Sequence, residues 1–434
     1  MSSSELKTHF GHKLTPDREH RVGHGIKGIK SFERIPNNPS TISQNEQLLV
    51  RFPNLGGDDV IVPGTARLAF NINLVPADGE KDGDCTVVQN LGRNIVKKIT
   101  VKISGNEVLS IDDSDIYYSY LDLWLTPFER QNLHYQGIDT SENRNVTKLR
   151  VGAEDGNATL VKDKAIADNL KNRFYIPLDF ELLESHMPFY QAALGDRLEY
   201  ELTFNEYRNV LLGESNMKYE IKNITLEFDK VTESDLASHI RSRYSALGVK
   251  YDRVLRHRKM PVDKSDRIWN INLNVPAKSM KGILILFKTP SPGFDRDTEK
   301  FYNPKIKSVE MIIEGVPNQI YSQKMLEYNL WDEIQKLPTI KRDPRTTSVC
   351  KDLNFTDMDI GSFLTDKYAL WIDFRTVSDD QLHGSGRRIE NGSEGISIMI
   401  SKEEEAPGPL DAFIFIAMDA QLNIKDGRFD RVDY

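Results

Sequence analysis

The sequence predicts an all-β fold: two tandem eight-stranded jelly-roll β-sandwiches with an extended N-terminal arm and a short inter-domain helix. Three observations predict it. Short runs alternate apolar and polar residues with a period of two along most of the chain. Helical segments are few and do not alternate with the strands, which disfavours a parallel α/β sheet. Motifs of the first half also recur in order in the second, about 200 residues later.

The alternation is clearest in Arg67–Val75, where Leu68, Phe70, Ile72 and Leu74 share one side. Ile99–Ser104, Leu198–Phe204, Ile224–Phe228 and Ile396–Ile400 repeat it. Such strands have one buried and one wet face and belong to antiparallel sheets. Gly105-Asn106 and Gly315-Val316-Pro317-Asn318 supply turns between them. About eight short strands per unit of about 180 residues fit two facing Greek-key sheets better than an immunoglobulin sandwich, which is usually nearer 100.

With 434 residues and 49.7 kDa, the chain is long enough for two cores. Residues 1–45 are broken by Gly, Pro and Ser and read as an extended arm. Residues 46–231 form the first sandwich, 232–259 a helical and basic linker, and 260–434 the second sandwich. The linker holds the helix candidate Ser234–Tyr244, which Thr232 or Ser234 would cap.

Four segments carry the repeat. Phe70–Ala77 matches Trp269–Ala277 through a shared Asn-Ile-Asn-Leu and Val-Pro-Ala, and Ile95–Asn106 matches Ile306–Gly315. Tyr120–Trp124 matches Tyr328–Trp331, and Phe174–Phe180 matches Ala369–Phe374. A period this long indicates duplicated domains rather than a solenoid.

The net charge of -8 and pI near 5.7 argue against a dedicated nucleic-acid binder. No run reaches the roughly 18 apolar residues of a membrane span, and the polar start Met1–Lys7 lacks the apolar stretch of a secretory signal. A reducing compartment is therefore expected; Cys85 and Cys350, one in each half, lack the close spacing of a metal or redox pair, and a single long-range disulfide between them is left open. His9, His12, His20 and His24 fit no zinc spacing, and His134, His186, His239, His257 and His383 are scattered. Asp112, Asp113, Asp115, Asp179 and Glu181 are candidate paired carboxylates, read as solvated loop charges. Gly23–Gly28 mimics a dinucleotide turn without a preceding strand, and there is no nucleophile elbow or phosphate-binding loop. The sequence thus implies no enzyme, no cofactor, no metal and no small-molecule substrate.

Two basic stretches remain as candidate partner-facing sites. The arm carries Lys7, Lys13, Arg18, Arg21, Lys27, Lys30 and Arg34, and the linker carries Arg241, Arg243, Arg253, Arg256 and Arg258. They could face packaged DNA, an inner membrane or acidic proteins, or simply pair with carboxylates of the same assembly.

The segments Val62–Phe70, Val88–Val96 and Val101–Val108, followed by the Tyr-rich Ile116–Asp122, resemble the opening of polinton-type capsid proteins. The architecture as a whole resembles the double jelly-roll major capsid proteins, a lineage of adenovirus hexons, large nucleocytoplasmic DNA viruses, virophages and polinton- or adintovirus-type elements. The motif-level resemblance covers about residues 60–125. It implies a virion protein assembled in the host cytoplasm or nucleus: a homotrimer whose six sandwiches make a pseudo-hexagonal block of an icosahedral shell of a double-stranded DNA virus or virus-derived element. Minor capsid and penton proteins would be its further partners. The alternative is a tandem jelly-roll protein that binds or hydrolyses carbohydrate or glycoprotein.

Overall fold

A strand that alternates apolar and polar residues must pair on both edges and cover its apolar face, so the alternating segments assemble as facing sheets. The computed structural model describes residues 27–75, 84–125, 130, 133–138, 147–150, 158–160, 173–178, 183, 188–212, 218–290, 297–317, 327–337, 358–375, 386–389, 395–402, 405–406 and 408–434.

In the first unit one sheet runs Ile29–Pro36, Lys218–Thr232, Arg67–Val75, Arg173–Pro177, with Ile42–Ser43 and Asp59–Ile61 also on Lys218–Thr232. The facing sheet runs Gln47–Arg51, Leu198–Phe204, Val96–Ile103, Asn106–Asp112. A small sheet, Ala158–Leu160, Thr147–Arg150, Asp84–Val87, Leu211–Leu212, stands apart from these. In the second unit one sheet runs Val249–Val262, Leu410–Lys425, Ala277–Lys288, Ala369–Asp373, extended by Arg387–Ile389 and Arg428–Asp433. Its partner runs Ile268–Leu273, Ile396–Lys402, Ile306–Ile313, Val316–Pro317. The named strands pair antiparallel throughout.

Leaving aside Ile42–Ser43, Asp59–Ile61 and the small separate sheet, and counting the remaining strands in chain order, the two units have the same strand plan. In each, the last long strand lies between the first strand and the third, and the penultimate strand lies between the second and the fourth. Both hairpins after the fourth strand turn alike: Ser104 and Gly105 have φ of 52° and 73°, Glu314 and Gly315 51° and 77°. Two consecutive positive φ values make a type I′ turn, whose twist suits a two-residue hairpin.

Three of the four sequence matches fall on equivalent elements. The fourth does not. Arg67–Val75 is the third strand of its unit, whereas Ile268–Leu273 is the second strand of the other; the true counterpart is Ala277–Lys288. That strand is buried on both faces over Ser279–Phe287, so it lacks the alternating asparagines of its neighbour Ile268–Leu273.

The arm and linker also differ from their expected outlines. Ile29–Pro36 and Ile42–Ser43 lie in the arm by sequence but pair with Lys218–Thr232. Val249–Val262, most of it in the expected linker, pairs along its length with Leu410–Lys425. An edge strand needs few apolar residues, so its composition reads as loop. The linker helix spans Ser234–Leu247 and ends at Gly248 with φ 64°. Neither Thr232 nor Ser234 caps it: the N-cap residue is Glu233, and the Thr232 hydroxyl bonds Asp59 at 2.5 Å. Lys7, Lys13, Arg18, Arg21, the four arm histidines, Cys350, Asp179 and Glu181 lie outside the described residues.

Candidate functional site

Of the basic residues singled out, those described have mostly intrachain partners. Lys30 pairs with Asp229 at 2.7 Å and Arg34 with Glu227 at 2.9 Å. Arg253 pairs with Glu107 at 3.6 Å and lies 4.0 Å over the Tyr434 ring. Arg256 pairs with Asp113 at 3.0 Å, and Arg258 donates to the Met260 Sδ at 3.3 Å. Arg243 also has a partner, whereas Arg241 and Lys27 present exposed side chains. Among the described residues no group of three or more His, Cys, Asp or Glu could hold a metal ion.

Two constellations stand out instead. The first is an open groove of about 560 Å³ on the outer face of the first unit. Register puts Arg34 and Arg67 on either side of Glu227, and both donate through Nε to its carboxylate at 2.9 Å. Arg173 reaches the same carboxylate at 3.5 Å while donating to Asn71 Oδ1, the Asn223 carbonyl and Thr225 Oγ1. Glu227 is only 3% exposed although it occupies a nominally outward position. Sequence reasoning found Arg34 alone, because the neighbours of a strand residue depend on register, which one chain does not print.

The second is the seam between the units. The Tyr-rich segment forms the helix Ser114–Asp122, which continues the hairpin Val96–Asp112. Asp122 anchors its C-terminal end by accepting from Asn90, Arg93 and Gln136 at 2.9 to 3.0 Å. The helix turns its aromatic rings to the second unit: Tyr117 meets Phe415 at 5.2 Å, Tyr120 meets Phe301 edge-on at 5.0 Å, and Trp124 stacks on Trp331 at 5.9 Å. Polar contacts flank the rings. Tyr251 donates to the Val108 carbonyl at 2.6 Å, Thr298 to the Gln89 carbonyl at 2.9 Å, and buried Arg130 pairs with buried Glu299 at 2.5 Å. One hydrophobic cluster therefore runs through both sandwiches. Of the loop charges expected here, Asp112 stays 44% exposed, whereas Asp113 and Asp115 are half-buried, and burial, reinforced by Asp113, pushes the Asp115 carboxyl up to about 7.

Neither a family model nor a curated protein matches this sequence. Solved structures do. Over 95% of this chain and 98% of that one, the quasi-atomic model of the PBCV-1 virus capsid superposes with a TM-score of 0.57 at 12% identity. The Faustovirus major capsid protein gives 0.56 at 9% identity over 97% and 96% of the two chains. The mavirus major capsid protein gives 0.50 at 11% over 93% and 90%. The fold is a double jelly roll. In this double jelly roll the seam helix makes the two barrels one body.

Proposed function

We propose that the chain is the major subunit of a viral capsid, assembling as a homotrimer whose six jelly rolls form a pseudo-hexagonal tile of an icosahedral shell. The observation that carries this reading is the repeated strand plan joined by a rigid seam over nearly the full chain. A shell built of threefold tiles needs near-sixfold outlines, and two similar barrels held in fixed orientation give one from three chains. The parent would be a double-stranded DNA virus or virus-derived element, consistent with the solved capsid proteins of like fold. We divide the chain at the helix Ser234–Leu247, with one jelly roll on either side. Exposed apolar residues on outer strands, Ile29 and Phe32 in the first unit and Ile268, Ile312 and Val316 in the second, are candidates for burial between subunits. The arm residues Lys7, Lys13, Arg18, Arg21 and Lys27, together with Arg241, are offered to an acidic partner such as packaged DNA, an inner leaflet or a minor capsid protein. The reading assigns no catalytic step to the chain.

Light scattering on purified protein tests it. The expected mass is three times the 49.7 kDa monomer, with an interface above about 2,000 Å² that persists in high salt. A monomer at high concentration sinks it. Electron microscopy of the trimers should show a hexagonal outline.

A further inference from the structure

Within the second jelly roll, three charged side chains meet on three adjacent strands of one sheet. Asp252 on Val249–Val262 lies directly opposite Asp419 on Leu410–Lys425. On the next strand, Ala277–Lys288, the register shifts between Met280, paired with Met418, and Gly282, paired with Ala417. Lys281 is the extra residue of this bulge, and its side chain turns back across the middle strand. Its Nζ lies 2.5 Å from Asp252 Oδ1 and 3.3 Å from Asp419 Oδ1. The Lys281 and Asp252 side chains are 4% and 5% exposed. Asp419 is held from its other oxygen by the Ser279 hydroxyl, which in turn accepts from the Gly386 N–H at 2.9 Å.

A simple buried ion pair needs one carboxylate, and two carboxylates opposite each other on neighbouring strands repel. The second carboxyl earns its place if a proton has to be moved. We propose that Lys281 and Asp252 condense to an intramolecular isopeptide bond, with Asp419 transferring the proton. The pair starts as ammonium and carboxylate. Transfer of one proton inside the cluster gives a neutral amine and a carboxylic acid, the arrangement that burial favours. The Nζ lone pair attacks Asp252 Cγ, the Nζ–Cγ bond forms, and Asp419 carries an Nζ proton to the departing hydroxyl. One water leaves, an amide remains, and Asp419 returns to its initial state; no oxidant or cofactor enters. Amide formation from an acid and an amine is mildly uphill in water, but fixed reactants gain effective molarities of about 10⁵–10⁸ M. Exclusion of water from the site also slows the reverse reaction. The product would tie the edge strand Val249–Val262 to Ala277–Lys288 across the strand between them.

Mass spectrometry of the full chain in denaturant tests this. The expected mass is one water below that of the sequence, and digestion should give a branched peptide joining Lys281 to Asp252. Succinimide formation at Asp-Gly pairs such as Asp426-Gly427 loses water too, so the branched peptide decides the assignment. Asp419→Asn should fold and keep the full mass; a branched peptide in that variant would remove Asp419 from the mechanism. Folded wild-type protein without the branched peptide overturns the proposal, whether or not the Lys281 and Asp252 variants fold.

Discussion

Asp115 shows how far a single residue can depart from its reading in the sequence. Its carboxyl, half-buried at the start of the seam helix, accepts from Asn205 at 3.0 Å and sits beside Asp113, which burial also raises despite Arg256. The folded chain therefore keeps a proton that the unfolded chain releases between pH of about 4 and about 7. The unfolded state binds fewer protons in that window, so stability falls as pH rises through it and levels off above 7. A displacement from 3.8 to about 7 corresponds to up to about 4 kcal/mol. Asp115→Asn should flatten the dependence, match wild type near pH 4 and exceed it at pH 8 in urea titrations; an unchanged slope would refute the assignment. Glu227 makes the complementary case. Glu227→Ala leaves Arg34, Arg67 and Arg173 facing one another and should cost about 2–3 kcal/mol in the same titration, below a fully buried pair because the guanidiniums remain partly wet. The sequence offers Glu227 only as the polar member of an alternating strand. Its three cations come from strands about 190, 160 and 50 residues away in the chain, and nothing local signals their meeting.

Elements were more legible than residues because each is specified within a few positions. The type I′ turns announce themselves as Gly105 and Gly315 between alternating strands, whereas the Tyr-rich stretch stands out by composition and carries no sequence reading as the helix it forms. Legibility fails where burial removes alternation. Leu410–Lys425 and Ala277–Lys288 are buried on both faces through most of their length, so their apolar runs carry no period that separates strand from helix. The same loss misaligned the Asn-Ile-Asn-Leu motifs, while edge strands such as Ile29–Pro36 were too polar to stand out from loop. The seam helix carries its own prediction. Tyr117 is 3% exposed, and its ring fills the space against Phe415. Tyr117→Ala should cost about 3–5 kcal/mol, and by loosening the contact it should split one calorimetric transition into two. Loss of stability with a single transition retained would show that Tyr117 packs its own barrel rather than coupling the pair.

At the scale of the whole molecule, duplication has not yielded two independent domains. Two copies of one barrel could in principle meet through a thin polar contact, as consecutive domains often do. Here the first copy contributes Tyr117, Tyr120 and Trp124 and the second Phe415, Phe301 and Trp331, and the hydrophobic cluster is continuous across them. A buried Arg130–Glu299 pair sits in the same seam, its two charges withdrawn from water by the contact between the barrels. The orientation of the barrels is thereby fixed, which a tile with near-sixfold outline requires. It follows that residues 1–231 expressed alone should expose the aromatic face of the seam helix, bind a hydrophobic dye and aggregate, while the full chain stays soluble and melts cooperatively. A soluble first fragment with native-like melting would mean that the barrels fold independently, and the rigid two-barrel tile would then have to be set by contacts between subunits instead.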